Sequence, residues 1–189
     1  MPYDLDDLRA ALRAHADEQA DHDTAALFLT LVEDGVHAFE RTRLQGHFTA
    51  SCWLVSRDGR RALLMHHRKL DRWLQPGGHA DGDVDLARVA LREADEETGV
   101  PGLAVEGGIY DLDRHRIPAR GTEPEHWHYD VRYVVRAGDD ERFTLNEESH
   151  ALAWRDVIEI AADVSLDDSL RRMAKRWLQR PDASASGEH

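Results

Sequence analysis

The stretch that decides the fold is residues 76–100, which read PGGHADGDVDLARVALREADEETGV. It begins with a proline and two glycines, a composition that favours a loop. Apolar residues then recur at helical spacing from about Asp85 to Thr98. Gly99 stands where helices commonly end, and Pro101 follows it. The stretch therefore predicts a glycine-rich loop that leads directly into one helix.

Three glutamates of this predicted helix share one narrow face. At about 100° per residue, Glu97 falls about 40° to one side of Glu93, and Glu96 falls about 60° to the other. Like charges at this spacing repel each other and destabilise a helix. A bound cation would offset this repulsion. Carboxylate oxygens are ligands that suit Mg²⁺, Mn²⁺ or Ca²⁺. The alternative is that these glutamates form a solvated acidic helix face. Helical spacing by itself favours this alternative, because such faces are common.

The spacing around these glutamates resembles the signature box of the Nudix hydrolases. That pattern is Gly, five residues, Glu, seven residues, Arg-Glu, an aliphatic, any residue, Glu-Glu, any residue, Gly, an aliphatic. One position departs, because the first glutamate of the pattern falls at Val84, between Asp83 and Asp85. The box spans residues 78–100, and a looser resemblance covers about residues 46–160. The matching residues are Gly78, Arg92, Glu93, Glu96, Glu97, Gly99 and Val100.

The resemblance implies a set of roles for these residues. Mg²⁺, with Mn²⁺ as the alternative ion, would be bound through Glu93, Glu96 and Glu97, and Gly78 would let the backbone pass close to the metal. Arg92 would orient a glutamate by an ion pair. Nudix enzymes often take a further ligand or base from a distal loop, and here Glu148 is the first choice and Glu147 the second. The implied catalytic set is Glu96, Glu148 and Arg92; a solvated acidic loop is the alternative for residues 146–150.

A second polar constellation lies in residues 126–133, which read HWHYDVRY. On a strand, His126, His128, Asp130 and Arg132 share one face, and the aromatic residues share the other. We expect His128 and Asp130 to contact substrate. A metal site of His126, His128 and Asp130 is a less favoured interpretation, and an exposed edge-strand face is a third.

Two further residues are candidates for contacts with substrate phosphate. His79 directly follows the glycines of the box, and a structural hydrogen bond within the loop is its alternative role. Arg68 ends a predicted strand, and its guanidinium suits phosphate, although a surface role is equally expected.

The order of predicted elements indicates an α+β fold, an α/β/α sandwich. Residues 1–44 predict a helical extension, with one helix over residues 4–20 and a second from Asp23 through about Arg41, a run that Gly35 interrupts. Residues 45–179 predict the Nudix-like domain, a mixed sheet with the box helix at its centre. A hairpin is predicted from Phe48 to His67 with its turn at Asp58-Gly59. The later elements predicted are strands at about 103–105, 108–118, 127–136 and 151–154, and helices near 156–162 and 166–178. No regular structure is expected from Lys69 to Gly82. Residues 180–189 are predicted to be disordered.

Composition narrows the classes of partner. The formal net charge is −13 without a long basic run, so we expect neither nucleic acid nor an anionic membrane as a partner. The single cysteine, Cys52, permits no internal disulfide, and no apolar run approaches the roughly 20 residues of a membrane span. These features predict a cytoplasmic protein, and the resemblance implies that its partner is a small nucleotide-like molecule. The role of the N-terminal helices stays open between capping the cleft and forming a homodimer.

The leading hypothesis is Mg²⁺-dependent hydrolysis of a phosphoanhydride bond in a nucleoside diphosphate linked to another moiety. Fold alone does not fix function, so three alternatives stay open. One is a nucleotide-binding regulator with a Nudix fold and little turnover. Another is an isopentenyl diphosphate isomerase, which needs a reactive cysteine and a histidine-bearing metal site, whereas Cys52 lies in a predicted strand. The third is an RNA end-processing enzyme, which the net charge disfavours.

Overall fold

The computed structural model describes residues 3–146 and 149–180. They form five α-helices, a short 3-10 helix at Gly35–Phe39 and seven strands. The helices are α1 (Leu5–Gln19), α2 (His22–Val32), α3 (Leu86–Thr98), α4 (Val157–Ala162) and α5 (Asp168–Leu178). The strands are β1 (Gly46–Val55), β2 (Arg61–His67), β3 (Arg72–Leu74), β4 (Gly77–His79), β5 (Ala104–Ile117), β6 (His126–Arg136) and β7 (Ser149–Asp156).

The N-terminal helices follow local sequence signals. Helix α1 begins at a capping box, because the Asp4 side chain accepts from the backbone of Asp7 while the Asp7 side chain accepts from the backbone of Asp4. The prediction of one helix from Asp23 to Arg41 is wrong. Helix α2 ends at Val32, and Gly35 has a positive φ of 63°. A left-handed residue cannot continue a right-handed helix, so the chain turns and restarts as the 3-10 helix.

The seven strands form one mixed sheet, as predicted. Its order is β3-β2-β1-β6-β5, with β4 also paired to β1 and β7 also paired to β2. The expectation of no regular structure from Lys69 to Gly82 is wrong, because β3 and β4 lie there. Each has only three residues, too few for periodicity to show, and pairing with a longer strand stabilises them.

The close pairing of β4 with β1 depends on a glycine. Ala50 faces Gly78, and Ser51 faces Gly77, in an antiparallel register. A Cβ atom at Gly77 would lie 2.2 Å from the Cβ of Ser51 and 2.8 Å from the carbonyl oxygen of Ala50. Only glycine permits this approach, so the second residue of the Pro-Gly-Gly sequence has a packing role.

The later elements match the prediction with one exception. Two strands were expected at 103–105 and 108–118, but β5 runs unbroken from Ala104 to Ile117. Gly107 has a positive φ of 76°, and the strand continues through it because backbone pairing tolerates an irregular glycine. The turn at Asp58-Gly59 joins β1 to β2 as predicted.

Backbone contacts divide the chain into two compact units, and each has its own apolar core. The first comprises the described residues of Met1–Ser51, Gly77–Ala90 and Gly107–Tyr133, and the second those of Cys52–Pro76, Leu91–Glu106 and Val134–His189. Fully buried side chains of the first unit include Leu8, Leu12, Phe28, Phe39 and Phe48; those of the second include Trp53, Leu54, Leu63 and Leu64. The boundary predicted near residue 45 stays a prediction.

No helix among the described residues is long and apolar enough to cross a membrane.

Candidate active site

Helix α3 carries the box glutamates, and its first turn is fixed by aspartates. The Asp85 side chain accepts from the backbone N–H of Arg88 at 3.1 Å, which satisfies a donor that a helix start leaves open. Leu86, Val89, Ala90, Ala94 and Thr98 are buried along one stripe. The helix is therefore held by its apolar stripe, which leaves other positions free to carry charge.

Arg92 lies between two of the three glutamates, all in the second unit. Its guanidinium contacts the carboxylate of Glu93 at 2.9 Å and that of Glu96 at 3.9 Å. Glu97 is only 6% exposed, whereas the Glu96 side chain is 61% exposed. The three carboxylates therefore differ in environment. Glu97 is buried, Glu93 is paired with Arg92, and Glu96 is exposed to solvent.

The chain that precedes the predicted distal ligands contacts the C-terminal end of α3. The backbone N–H of Thr144 donates to the carbonyl of Thr98 at 2.7 Å, and the Asn146 amide donates to the carbonyl of Glu96 at 3.3 Å. On the far side, Ser149 donates to the Asn146 side chain at 3.2 Å. The predicted distal residues, Glu147 and Glu148, lie outside the described residues.

Arg68 lies in the second unit near the same loop. It is exposed, and its guanidinium donates to the carbonyl oxygen of Ser149 at 3.4 Å. This long hydrogen bond to a neutral oxygen is weak, so it would cost little to exchange it for a phosphate oxygen.

A cluster of five histidines forms in the first unit, and we call it the histidine cluster: His47 on β1, His79 on β4, His115 on β5, and His126 and His128 on β6. The His47 ring lies 5.1 Å from that of His79, 5.1 Å from that of His126 and 5.0 Å from that of His128, measured between ring centroids. The rings of His115 and His128 are 5.5 Å apart.

Burial makes three members of the histidine cluster, His47, His79 and His128, hard to protonate. It lowers the pKa of His128 to about 2, and the neighbouring histidines add to the effect. It lowers the pKa of His79 to about 4, with Arg41 contributing, and it also lowers the pKa of His47. At neutral pH these three imidazoles are uncharged, so each has one unprotonated ring nitrogen that can act as an acceptor or ligand.

Asp130 and Arg132 belong to a buried ion network beside the cluster. Arg132 is 2% exposed and contacts three carboxylates, those of Asp130 at 2.8 Å, Asp111 at 3.2 Å and Asp113 at 3.2 Å. Asp130 also accepts from Thr49 at 3.1 Å and Ser51 at 2.6 Å. Burial alone would lower the pKa of Arg132, but the carboxylates outweigh it and raise that pKa. Asp130 therefore has a structural role here.

The polar face of β6 is thus not an exposed edge-strand face. Strand β6 lies between β1 and β5 in the sheet, and His126, Asp130 and Arg132 are all buried. The predicted sharing of one face is correct. What the sequence did not reveal is that this face is enclosed.

Metal-ligating chemistry is available at both places, with different donors. Box glutamates offer carboxylate oxygens, which fit Mg²⁺ or Mn²⁺. Among the described residues, the three-membered group whose ligand atoms all lie within 4.8 Å of one another is His47, His126 and His128. The metal site considered from sequence, His126 with His128 and Asp130, thus has the wrong third member. Sequence reasoning missed His47, which is 79 positions from His126 and carries no local signal.

A family model described as NUDIX domain matches residues 46–177. The chain belongs to this family and is a Nudix hydrolase. Nudix hydrolases generally use divalent metal ions.

The chain is 32% identical over 128 residues to a protein of Sphingopyxis alaskensis named RNA pyrophosphohydrolase, in an alignment that covers 59% of this chain and 78% of that protein. Among solved structures it resembles a MutT protein from Methanosarcina mazei, with a TM-score of 0.55, 19% identity, and coverage of 71% of this chain and 94% of that one. An Ap4A hydrolase of C. elegans matches with a TM-score of 0.54, 16% identity, and coverage of 69% and 93%. At these identities the structures support the fold alone.

Cys52 bears on the isomerase alternative. It is fully buried in β1, and a buried thiol in apolar surroundings is inert. Histidines do lie together in the first unit, which is a group of possible ligands and not by itself the metal site that this alternative needs. The reactive cysteine is not supported.

Proposed function

We propose that this chain hydrolyses a phosphoanhydride bond in a nucleoside diphosphate linked to another moiety, with Mg²⁺ or Mn²⁺ bound through Glu93, Glu96 and Glu97. One observation carries the proposal: a Nudix chain keeps all three glutamates on one helix, with Arg92 contacting two of them. A solvated acidic face would not need Glu97 to be buried. Burial of a carboxylate is costly unless a cation or hydrogen bonds offset it.

The residues would divide the work by their environments. When bound, a divalent ion offsets phosphate charge and lowers the pKa of the attacking water. Arg92 is a positioning residue, since its fork holds Glu93 and approaches Glu96. Glu96 is the most exposed of the three and is the carboxylate best suited to accept a proton. Glu148 remains the predicted distal base or ligand.

On the substrate side, Arg68 is the best supported residue. Arg68 is exposed, and its guanidinium donates to Ser149, the residue that follows the predicted distal ligands in the sequence. His79 and His128 remain predicted contacts of substrate. We withdraw Asp130 from that set, because its oxygens already accept from Thr49, Ser51 and Arg132.

A second candidate substrate is the 5′ end of an RNA. The observation in its favour is the curated relative named RNA pyrophosphohydrolase. Against it stands the net charge of −13, because a protein that tracks an RNA backbone needs positive charge to bind phosphates. A short 5′ end engages fewer phosphates than a long RNA, so it needs less positive charge on the protein. The small nucleotide and the RNA 5′ end share the bond that is hydrolysed and differ in the group attached to it.

Formation of the two phosphorylated products, separated by chromatography, tests the proposal, because hydrolysis of an internal phosphoanhydride bond releases no free phosphate. Purified protein is assayed with Mg²⁺ and, separately, Mn²⁺ on ADP-ribose, dinucleoside polyphosphates, nucleotide sugars, nucleotide coenzymes and a 5′-triphosphorylated oligoribonucleotide. We expect turnover of at least one small nucleotide, loss of turnover with chelator, and loss in Glu97→Gln. Turnover of the oligoribonucleotide alone would favour the RNA candidate. Tight binding of nucleotides without turnover of any would establish the regulator.

A further inference from the structure

Three histidines of the first unit bring their ring nitrogens together in the interior. His47 is 1% exposed and His126 is 4% exposed. One ligand nitrogen from each of His47, His126 and His128 lies within 4.8 Å of the other two. The Nε2 atoms of His126 and His128 are 3.2 Å apart.

Backbone carbonyls fix the tautomers of two of these rings. His47 Nδ1 lies 3.3 Å from the carbonyl oxygen of Arg43, and His126 Nδ1 lies 2.9 Å from that of Pro124. A carbonyl only accepts, so in the neutral ring each Nδ1 carries the proton and each Nε2 presents a lone pair. Metal-ligating histidines are usually held in this way.

The ring nitrogens of these histidines that carry lone pairs have too few hydrogen-bond donors near them. His47 Nε2 is buried and has no hydrogen-bond partner among the residues the structure describes. His126 Nε2 faces His128 Nε2, and a hydrogen bond between them satisfies one lone pair at most. A buried nitrogen without a partner costs free energy. A cation would satisfy all three nitrogens at once.

The separation of one pair of these nitrogens fits a tetrahedral ion. With metal–nitrogen bonds of about 2.0–2.1 Å, two ligands of a tetrahedral Zn²⁺ lie about 3.4 Å apart. The observed 3.2 Å between the His126 and His128 nitrogens is close to that value. The carboxylate of Glu123 lies 3.8 Å from His126 Nε2 and is 57% exposed, so it is placed to supply a fourth ligand from the solvent side.

We propose that His47, His126 and His128 bind one borderline transition-metal ion, Zn²⁺ in the first instance, at a site separate in its ligands from the box glutamates. Imidazole nitrogens suit Zn²⁺, Co²⁺, Ni²⁺ and Cu²⁺, whereas Mg²⁺ takes oxygen. The ion would join β1 to β6 through one ligand on the first strand and two on the second. The proposal stands independently of the substrate proposed above.

Binding of the metal alone tests the proposal. Chelator-treated protein is titrated calorimetrically with Zn²⁺ in excess Mg²⁺, and bound metal is measured after gel filtration. We expect one tightly bound Zn²⁺ per chain and a melting temperature raised by about 5 °C or more. Co²⁺ added instead should give the intense visible absorption of a tetrahedral nitrogen-containing site, which six-coordinate oxygen ligands do not produce.

Variants locate the ion. In the double variant His126→Gln and His128→Gln, the tight Zn²⁺ equivalent should disappear. The matched control is His15→Gln, because His15 is also buried in the first unit with Nδ1 3.0 Å from a carbonyl, that of Ile109. That variant and Glu97→Gln should both keep the Zn²⁺. Circular dichroism reports whether each variant is folded.

Several results would overturn the site. They are a wild-type chain that takes up no Zn²⁺ in excess Mg²⁺, a Co²⁺ spectrum typical of oxygen ligands only, and Zn²⁺ retained by a folded double variant. Loss of Zn²⁺ in Glu97→Gln would assign the ion to the box glutamates. If the double variant does not fold, the wild-type Co²⁺ spectrum decides, because it needs no substitution.

Discussion

The glutamates of α3 and the histidine cluster are both groups of potential metal ligands, and they arise in opposite ways. Glu93, Glu96 and Glu97 lie within five residues of one another on a single helix. His47, His126 and His128 come from two strands separated by 70 residues or more of sequence. The first arrangement follows from helical geometry alone. The second exists only once the sheet has paired β1 and β6, so it depends on long-range folding.

The two groups also differ in what surrounds them. The glutamates keep a water-facing member, since the Glu96 side chain is 61% exposed. Hydrated access suits Mg²⁺, which retains waters and takes substrate phosphate as a ligand. The histidines are largely enclosed, an environment that suits a less hydrated ion with nitrogen ligands. Burial and donor type therefore distinguish the proposed substrate site at the glutamates from the proposed ion site at the histidines.

The largest expected effect is on turnover and concerns the glutamates. Glu97→Gln keeps the size of the side chain but removes a charge that a divalent ion would need, so we expect kcat to fall roughly 10³-fold. The matched control is Asp95→Asn, an exposed residue on the opposite side of the same helix. Steady-state kinetics on the best substrate of the panel measure both. Equal losses in the two variants would contradict a specific role for the carboxylate face.

The next effect is on stability and concerns the network beside the histidine cluster. Arg132→Met would leave Asp111, Asp113 and Asp130 without their shared cation, so we expect the free energy of unfolding to fall by about 3–5 kcal/mol. Arg41→Met is the control, since Arg41 pairs with Asp81 while 57% exposed; there we expect under about 1 kcal/mol. Urea unfolding compares them. A small loss in Arg132→Met would mean that the carboxylates find other partners.

A smaller effect tests why the box loop contains paired glycines. Gly77→Ala places a Cβ against Ser51 and should destabilise the fold by about 1–3 kcal/mol. Gly108→Ala is the control, because nothing lies within 4 Å of a Cβ there. Thermal unfolding of both variants decides. If Gly77→Ala is as stable as Gly108→Ala, the close strand pairing does not need glycine.

The smallest effect concerns the orientation of the glutamates. Arg92→Gln should lower kcat by about tenfold, because Glu93 would lose its 2.9 Å contact while all three carboxylates remain. Arg92→Lys should recover part of the loss, since it restores charge without the planar fork. Kinetics with varied Mg²⁺ concentration separate a change in metal affinity from a change in kcat. A loss as large as that of Glu97→Gln would assign Arg92 a direct role.

Local signals predicted much of the fold. Helix α1, the hairpin of β1 and β2, and α3 appeared where periodicity and turn residues placed them. The errors share a cause, because β3 and β4 are three residues long and exist by pairing with β2 and β1. The break at Gly35 was signalled by its residue type, but only the backbone showed a positive φ there.

The sequence alone determined the family, because the box depends on spacing along one loop and one helix. It also determined that His126, His128, Asp130 and Arg132 share a face, since a strand alternates its side chains. Tertiary structure decided what that face is for. In the folded protein Asp130 forms a buried ion pair with Arg132, and the pairing of β1 with β6 places His47 beside His126 and His128. Neighbours on a helix are set by their spacing along the sequence. Neighbours in a sheet depend on which strands pair, and that pairing is established only when the chain folds.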